Sequence, residues 1–334
     1  MSRTRRRPHG LPLLGSAIAA SAVAVLLLVT QPWNSGAAAP TAGRADLGST
    51  SRTAGTSAAA SSVYPSPSST SATAHPSPSA SRTVAARTSA SPSPVGAVAA
   101  PAGYRTVTFV NDAHQTIWVG AGEQTPKPAL STTGWVLSAG RSLAITVPDK
   151  WNGRFWGRTG CSFNSSGSGH CQTGDCAGRF QCAQYGTIPA TLAEFNLNSW
   201  NNLDFYDVSM VDGSNLPMYI NITKGATKDP ISSTGCSSAG CTKPVACPTA
   251  LQIKAGGAVV GCESACGIFG TDQYCCRGQW AARSACLPAQ WPVDYAAVFK
   301  TAEPFAYSYV DDDATSTFTC SGECNYRITF GLSP

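Results

Sequence analysis

Apolar and polar positions alternate over Arg105-Thr-Val-Thr-Phe-Val110 and again over Leu143-Ala-Ile-Thr-Val147, both rich in β-branched residues. This period of two predicts half-buried strands. Gly, Asn, Asp and Pro punctuate the chain between such runs, so the strands are short and the expected architecture is a sandwich or barrel. The stretch from Ala281 to Lys300 has room for helical turns, which Pro288 and Pro292 keep short. A different pattern occupies the N-terminus. Leu11 to Val29 is almost continuously apolar behind Arg3, Arg5, Arg6 and Arg7, and Ala37-Ala38-Ala39 follows. Residues 1–40 therefore read as a signal peptide or, because the apolar run is nearly long enough to span a bilayer, as a signal anchor.

Residues 41–103 consist almost entirely of Ser, Thr, Ala, Pro, Gly and Val. Such a segment cannot bury enough apolar surface to offset the entropy of ordering, so it reads as a disordered, extended linker. The folded region is residues 104–334, long enough for one large core or two smaller ones. Charge changes the picture only when divided at this boundary. The whole chain carries +5, but residues 104–334 hold 7 Lys and 8 Arg against 12 Asp and 5 Glu, a net −2. A slightly acidic domain gives no basic footprint for nucleic acid.

All fourteen cysteines lie beyond Tyr104. With an export segment ahead of them, they imply an oxidising compartment and disulfides. Zinc would require clustered ligands, usually CxxC pairs or Cys with His. The spacings here are Cys171-x4-Cys176, Cys262-x3-Cys266 and vicinal Cys275-Cys276, with only His170 nearby. No metal and no cofactor is expected. The chain contains no GxSxG, HExxH or P-loop, and Asn164-Ser-Ser and Asn221-Ile-Thr are glycosylation sequons that matter only in a host that reads them.

The run GSGHCQTGDCAGRFQC, Gly167 to Cys182, resembles the signature of thaumatin-like proteins. GRFWGRTGCSF precedes it. IPATLAEFNLN, LDFYDVSMVDGSNLPM, GCESAC, YCC, FAYSYVDDDATSTFTC and NYRITF follow in the family's order. The resemblance covers Tyr104 to Leu332. It implies an all-β fold, a flattened antiparallel β-sandwich with disulfide-rich loop domains. The larger loop subdomain would span about residues 236–291, with an acidic cleft between it and the sandwich.

The family's pairing implies Cys161–Cys171, Cys176–Cys182, Cys236–Cys320, Cys247–Cys262, Cys266–Cys275 and Cys276–Cys286. Three family cysteine positions are occupied here by Ala113, Gly331 and Glu303. The first two belong to one bridge between the first hairpin and the last strand, so the sandwich termini are looser or its core compensates. The third strands Cys241. Cys324 is an addition, and a Cys241–Cys324 bridge is the expected use of the pair.

The same resemblance makes Glu194, Asp207, Asp212 and Asp312 the cleft acids, with Arg154 or Arg158 as their basic companion. These arginines are four apart in an extended stretch and share a face with Trp156. Asp175 in TGDC is read as bonding local backbone amides, and Asp204, Asp311 and Asp313 as rim charges. Carboxylates can accept sugar hydroxyls, or they can cleave a glycosidic bond if their environments separate their pKa values. Three functions follow. The first is an antifungal-type protein, monomeric, secreted or anchored at the cell surface, that binds β-1,3-glucan or another cell-wall polysaccharide. The second is a weak endo-β-1,3-glucanase with Glu194 as acid and Asp207 as nucleophile or base. The third is a module for a protein ligand or receptor. Membrane contact is expected only if the N-terminal segment is retained.

Overall fold

A computed structural model describes residues 100–124, 127–229 and 238–333. The export or anchor segment and nearly all of the linker lie outside the described residues. The fold is all-β. Its strands are β1 (Tyr104–Asn111), β2 (Ile117–Glu123), β3 (Gly134–Leu137), β4 (Ser142–Pro148), β5 (Asn152–Arg158), the short pair β6 (Ser162–Phe163) and β7 (Gly169–His170), β8 (Leu192–Asn196), β9 (Asp204–Ser209), β10 (Met218–Thr227), β11 (Gln252–Ala255), β12 (Ala258–Cys262) and β13 (Phe318–Phe330). Three short helices join them: α1 (Ala265–Phe269), α2 (Ala296–Ala302) and α3 (Asp313–Ser316). The helical turns expected around residues 281–300 are a 3-10 turn at Pro288–Gln290 and then α2, which begins only after the second proline.

Nine strands form one sheet in the order β3-β2-β5-β8-β9-β13-β1-β4, with β10 on the other edge of β13. β13 makes the sheet double back. Its first residues, Phe318 to Cys320, pair with β9, and its last five, Tyr326 to Phe330, run parallel to β1. The two halves meet through aromatic rings. Phe155 of β5 contacts Phe109 of β1 edge-on at 5.1 Å, and Phe195 of β8 contacts Tyr326 of β13 at 4.9 Å. Trp151 stacks on Phe155 at 4.7 Å. Truncating a ring as enclosed as Phe155 costs about 3–5 kcal/mol.

The strands on either side of this core obey the period of two. Phe155, Phe195 and Tyr206 point inward, so Arg154, Glu194 and Asp207 point outward. Every residue of β5 is nevertheless buried, because loops cover its outer face.

Where the Ala113–Gly331 bridge is missing, hydrogen bonds hold the end of the sandwich. Asn111 Nδ2 donates to the carbonyls of Gln115 and Leu137, at 2.9 and 2.8 Å. Asp112 N donates to Phe330 O, and Gly331 N to Pro217 O, each at 2.9 Å. Asp204 is not a rim charge. It is fully buried, takes both Arg105 Nε and Nη2, at 3.1 and 3.2 Å, and accepts from Tyr326 Oη at 2.8 Å. The reason is its place in β9 opposite Cys320, where strands from both halves converge. Glu303, at the third missing cysteine, is also fully buried, with Oε1 accepting from Met218 N. Burial drives its carboxyl well above the ordinary range.

The structure forms Cys161–Cys171, Cys176–Cys182, Cys247–Cys262, Cys266–Cys275 and Cys276–Cys286. It differs at Cys320 and Cys324, and Cys236 lies outside the described residues. Cys320 bonds Cys324, so neither Cys236–Cys320 nor Cys241–Cys324 forms. Cys241 is itself disulfide-bonded. The cause of the local pairing is the register of β13 against β10. Ser321 pairs with Ala226 but Asn325 with Lys224, so residues 322–324 bulge out opposite the single residue Gly225. The bulge folds Cys324 back onto Cys320, and Gly225 lies under the bridge at φ +112°. A β-carbon there would sit 2.8 Å from Cys320 Sγ and closer still to Cys324 Sγ.

Peptide mapping of the unreduced protein is expected to return Cys320 and Cys324 joined within one peptide. Recovery of a Cys236–Cys320 cross-link would refute this pairing. Gly225→Ala is expected to destabilise by about 1–2 kcal/mol from backbone conformation alone, with further loss from the clash with sulfur, measured as a lowered unfolding midpoint.

Candidate functional site

The outward side chains of β5, β8 and β9 form a row. Arg154 is directly opposite Glu194, and Glu194 directly opposite Asp207, in continuous antiparallel register. Cross-strand partners on one face bring their β-carbons within about 5 Å, so the three charges are neighbours because of strand pairing alone. Arg154 Nη2 reaches Glu194 Oε1 at 3.1 Å, and its Nη1 reaches Asp212 Oδ2 at 3.5 Å. Asp212 comes from the turn after β9, closed by Gly213 N donating to Met210 O. That turn is pinned to the loop region by reciprocal 2.7 Å hydrogen bonds between Ser214 and Cys262.

Tyr185 completes the basic end. Its ring lies over the Arg154 guanidinium, 4.1 Å from centroid to Cζ, a cation–π contact. Gly122 of β2, opposite Arg154, makes room: a β-carbon there would lie 2.5 Å from the Tyr185 ring.

Four of the expected residues, Arg154, Glu194, Asp207 and Asp212, are therefore brought together. The other two are not. Arg158 is fully buried and spends its donors on four carbonyls, those of Trp118, Val119, Arg179 and Phe180. It clamps the TGDC loop to β2 rather than serving the acids. Burial lowers its pKa to about 10. Asp312 binds Lys300 Nζ at 2.9 Å and accepts from the Ser308 amide and hydroxyl, so it organises its own loop. Its neighbour Asp313, expected at the rim, is the member of the run whose charge acts on Asp207. Tyr307 Oη donates to Asp313 Oδ1 at 2.6 Å and is hydrogen-bonded to Thr317. Asp175 accepts from the amides of Cys171 and Gly178, at 3.0 and 2.9 Å, in a local structural role.

The sequence does not single out Tyr185, Glu263 or Tyr307, and it places Asp313 only at the rim. Glu263 lies inside GCESAC, and its burial beside Cys262 emerges only in the fold. Tyr185 carried no signal, because a lone tyrosine after a cysteine loop is indistinguishable from packing.

Environment sorts the acids. Burial raises Asp207, and Glu194's charge raises it further, with only partial relief from Arg154. Its Oδ2 has no hydrogen-bond partner. Burial also raises Glu194, but Arg154 opposes the shift. Both carboxyls are held above their ordinary range, and Glu194 is the one with a direct Arg154 ion pair to oppose the shift. Access also differs: the Asp212 side chain is 33% exposed and that of Glu194 12%, while Asp207 is 6% exposed.

Residues 111–332 match the sequence profile of the Thaumatin family. The chain belongs to that family. It is 45% identical over 232 residues to pathogenesis-related thaumatin-like protein 3.5 of Cryptomeria japonica, covering 69% of this chain and 90% of that protein. It is 46% identical over 230 residues to a glucan endo-1,3-beta-glucosidase of Prunus avium, covering 67% of this chain and 89% of that protein. It is 46% identical over 227 residues to pathogenesis-related protein 5 of Arabidopsis thaliana, covering 67% and 88%. All three matches are close in length to residues 104–334.

Burial raises Glu263 from 4.5 to about 7, helped by Asp212 and opposed by the Ser264 amide. Between pH 4.5 and about 7 the folded state then holds more protons than the unfolded state, so stability falls as pH rises through that window. Glu194, Asp207, Asp212 and Glu303 shift in the same direction. The unfolding midpoint is expected to be higher at pH 5 than at pH 8, and Glu263→Gln is expected to flatten the slope between them. An unchanged slope would show that Glu263 is not one of the responsible groups.

Proposed function

We propose that this thaumatin-family protein binds β-1,3-glucan or a related cell-wall polysaccharide through the Arg154–Glu194–Asp207–Asp212 face. The observation that carries the reading is the in-register row, in which Arg154 holds Glu194 on the paired strand and Asp212 in the adjoining turn. Fixed carboxylate oxygens accept hydroxyl protons without losing side-chain entropy on binding. Asp212, the most exposed acid of the row, and Tyr185, a flat ring over Arg154, are the groups best placed to meet a sugar. Protein action outside the cell fits the oxidised chemistry, since no described cysteine is free.

A second reading, hydrolysis, is favoured by one observation: Glu194 and Asp207 are opposed carboxyls, both held above their ordinary range. The Prunus avium relative is named for such an activity. Directly opposed residues suit the short carboxyl spacing of retaining glycosidases rather than the wider gap that admits water.

Retention on insoluble β-1,3-glucan, run beside a reducing-sugar assay on the same sample, separates the readings. Asp212→Asn is expected to weaken retention about tenfold, as for a lost charged hydrogen bond of roughly 1.5 kcal/mol, and Asp311→Asn to leave it unchanged. Equal losses would make net charge the determinant and sink the site-specific reading. Sugar release abolished by Glu194→Gln would establish hydrolysis. Neither retention nor release from folded protein would leave a protein ligand as the function.

A further inference from the structure

The sheet face that carries the acidic row carries a second row at its other end. Val136 of β3 is opposite Trp118 of β2, and Trp118 opposite Arg158 of β5. Arg158 lies four residues along β5 from Arg154, about 13 Å at the rise of a strand. Between the two rows the disulfide loop closes over the buried Trp156. Beyond that ridge the surface opens into a depression of about 490 Å³.

Three half-buried rings line this depression: Trp118, Phe163 and Phe180. Phe163 and Phe180 meet edge-on at 5.6 Å. Arg158 fixes them from below, 5.4 and 5.7 Å from their centroids, while its donors grip the backbone around them. The rings are therefore held rigidly, yet the apolar surface they share with Val136, itself 52% exposed, remains open to solvent. The rim is polar but uncharged. Ser162 and Asn164 are exposed there. Asn164 Oδ1 is already engaged by the Ser166 and Ser168 amides, at 3.0 and 2.9 Å, which leaves its Nδ2 as the available donor. No ionisable side chain is among the residues lining the depression, and Arg158 beneath it is buried and bonded to backbone carbonyls.

We infer that this depression is a second binding site, separate from the acidic face, and that its ligand is a neutral saccharide. Rigid ring faces present negative quadrupoles to the C–H faces of a pyranose. Uncharged amide and hydroxyl groups at the rim match sugar hydroxyls. A charged ligand would lose hydration there without gaining a partner. A preformed aromatic hollow with a few polar groups is the usual form of a small-ligand site. Two sites on one rigid sheet also make the second contact with a polymer intramolecular, which multiplies retention on an insoluble wall without any new contact in either site. The inference leans on the proposed polysaccharide binding only for its choice of probe.

The test is a heteronuclear NMR titration of the full-length chain with laminarihexaose and, separately, xylohexaose. The Trp118 indole and Asn164 side-chain amide report this site, and the backbone amides of Tyr185 and Asp212 report the acidic face. Saturable shifts of the first pair with either sugar are expected at millimolar concentration or below. Both Phe163→Ala and Val136→Glu are expected to weaken them about fivefold or more, a difference well outside titration error. Val136→Glu alters an exposed position, so it reports even if Phe163→Ala fails to fold. Shifts at Trp118 with none at Tyr185 and Asp212 would sink the acidic-face reading and keep this one. Shifts confined to Tyr185 and Asp212 would overturn it. So would Trp118 broadening that tracks protein concentration rather than sugar, which would mark a contact between copies.

Discussion

The inward packing of Phe155 is the constraint on which the outer surface depends. Its ring is enclosed by Phe109, Trp135, Trp151 and Phe195, and that enclosure fixes the parity of β5. A slip of one residue would carry Arg154, Trp156 and Arg158 into an aromatic core and expose the ring. The penalty for burying two guanidinium groups among rings is large enough to make the register unambiguous. Through β8 and β9 the same parity sets Glu194 and Asp207 beside Arg154. The charged row is thus a by-product of hydrophobic packing on the opposite face.

This explains which parts of the molecule were legible in the sequence. Alternation in Arg105–Val110 and Leu143–Val147 announced β1 and β4, and the cysteine spacing marked the loops. Glu194 and Asp207 were identifiable through the family resemblance, and strand pairing explains why they become neighbours. Arg154 and Arg158 were indistinguishable because parity places them on one face, and only the position of the covering loop decides that one meets carboxylates and the other carbonyls. The Asp311-Asp312-Asp313 run was illegible because loops have no period. Lys300, on α2, captures Asp312 and leaves Asp313 to face Asp207, a choice made by tertiary packing. The Cys320–Cys324 pairing was missed because it depends on a bulge, a register irregularity that no residue pattern displays.

The acids also show that proximity and charge are different properties. Glu194 and Asp207 share one environment, yet one has a guanidinium and the other has an unsatisfied oxygen. Chemistry that looks symmetric in composition becomes asymmetric through a single ion pair. Glu263 and Glu303 extend the pattern, since each is a carboxyl held where its charged form is unwelcome. Each therefore stabilises the fold more below its raised pKa than above it.

The six bridges with both ends described each span between 4 and 15 residues of sequence. Each closes a small loop, and among them none staples one half of the sandwich to the other. The sheet halves are joined by aromatic packing, by β13 and by the Arg105–Asp204–Tyr326 network, all indifferent to thiol chemistry. The covalent links instead set the posture of the peripheral loops, including the one that carries Tyr185 and the one that steadies Asp212. A reductant would therefore act as a selective eraser: the strand-borne part of the site would keep its shape while its loop-borne walls went slack.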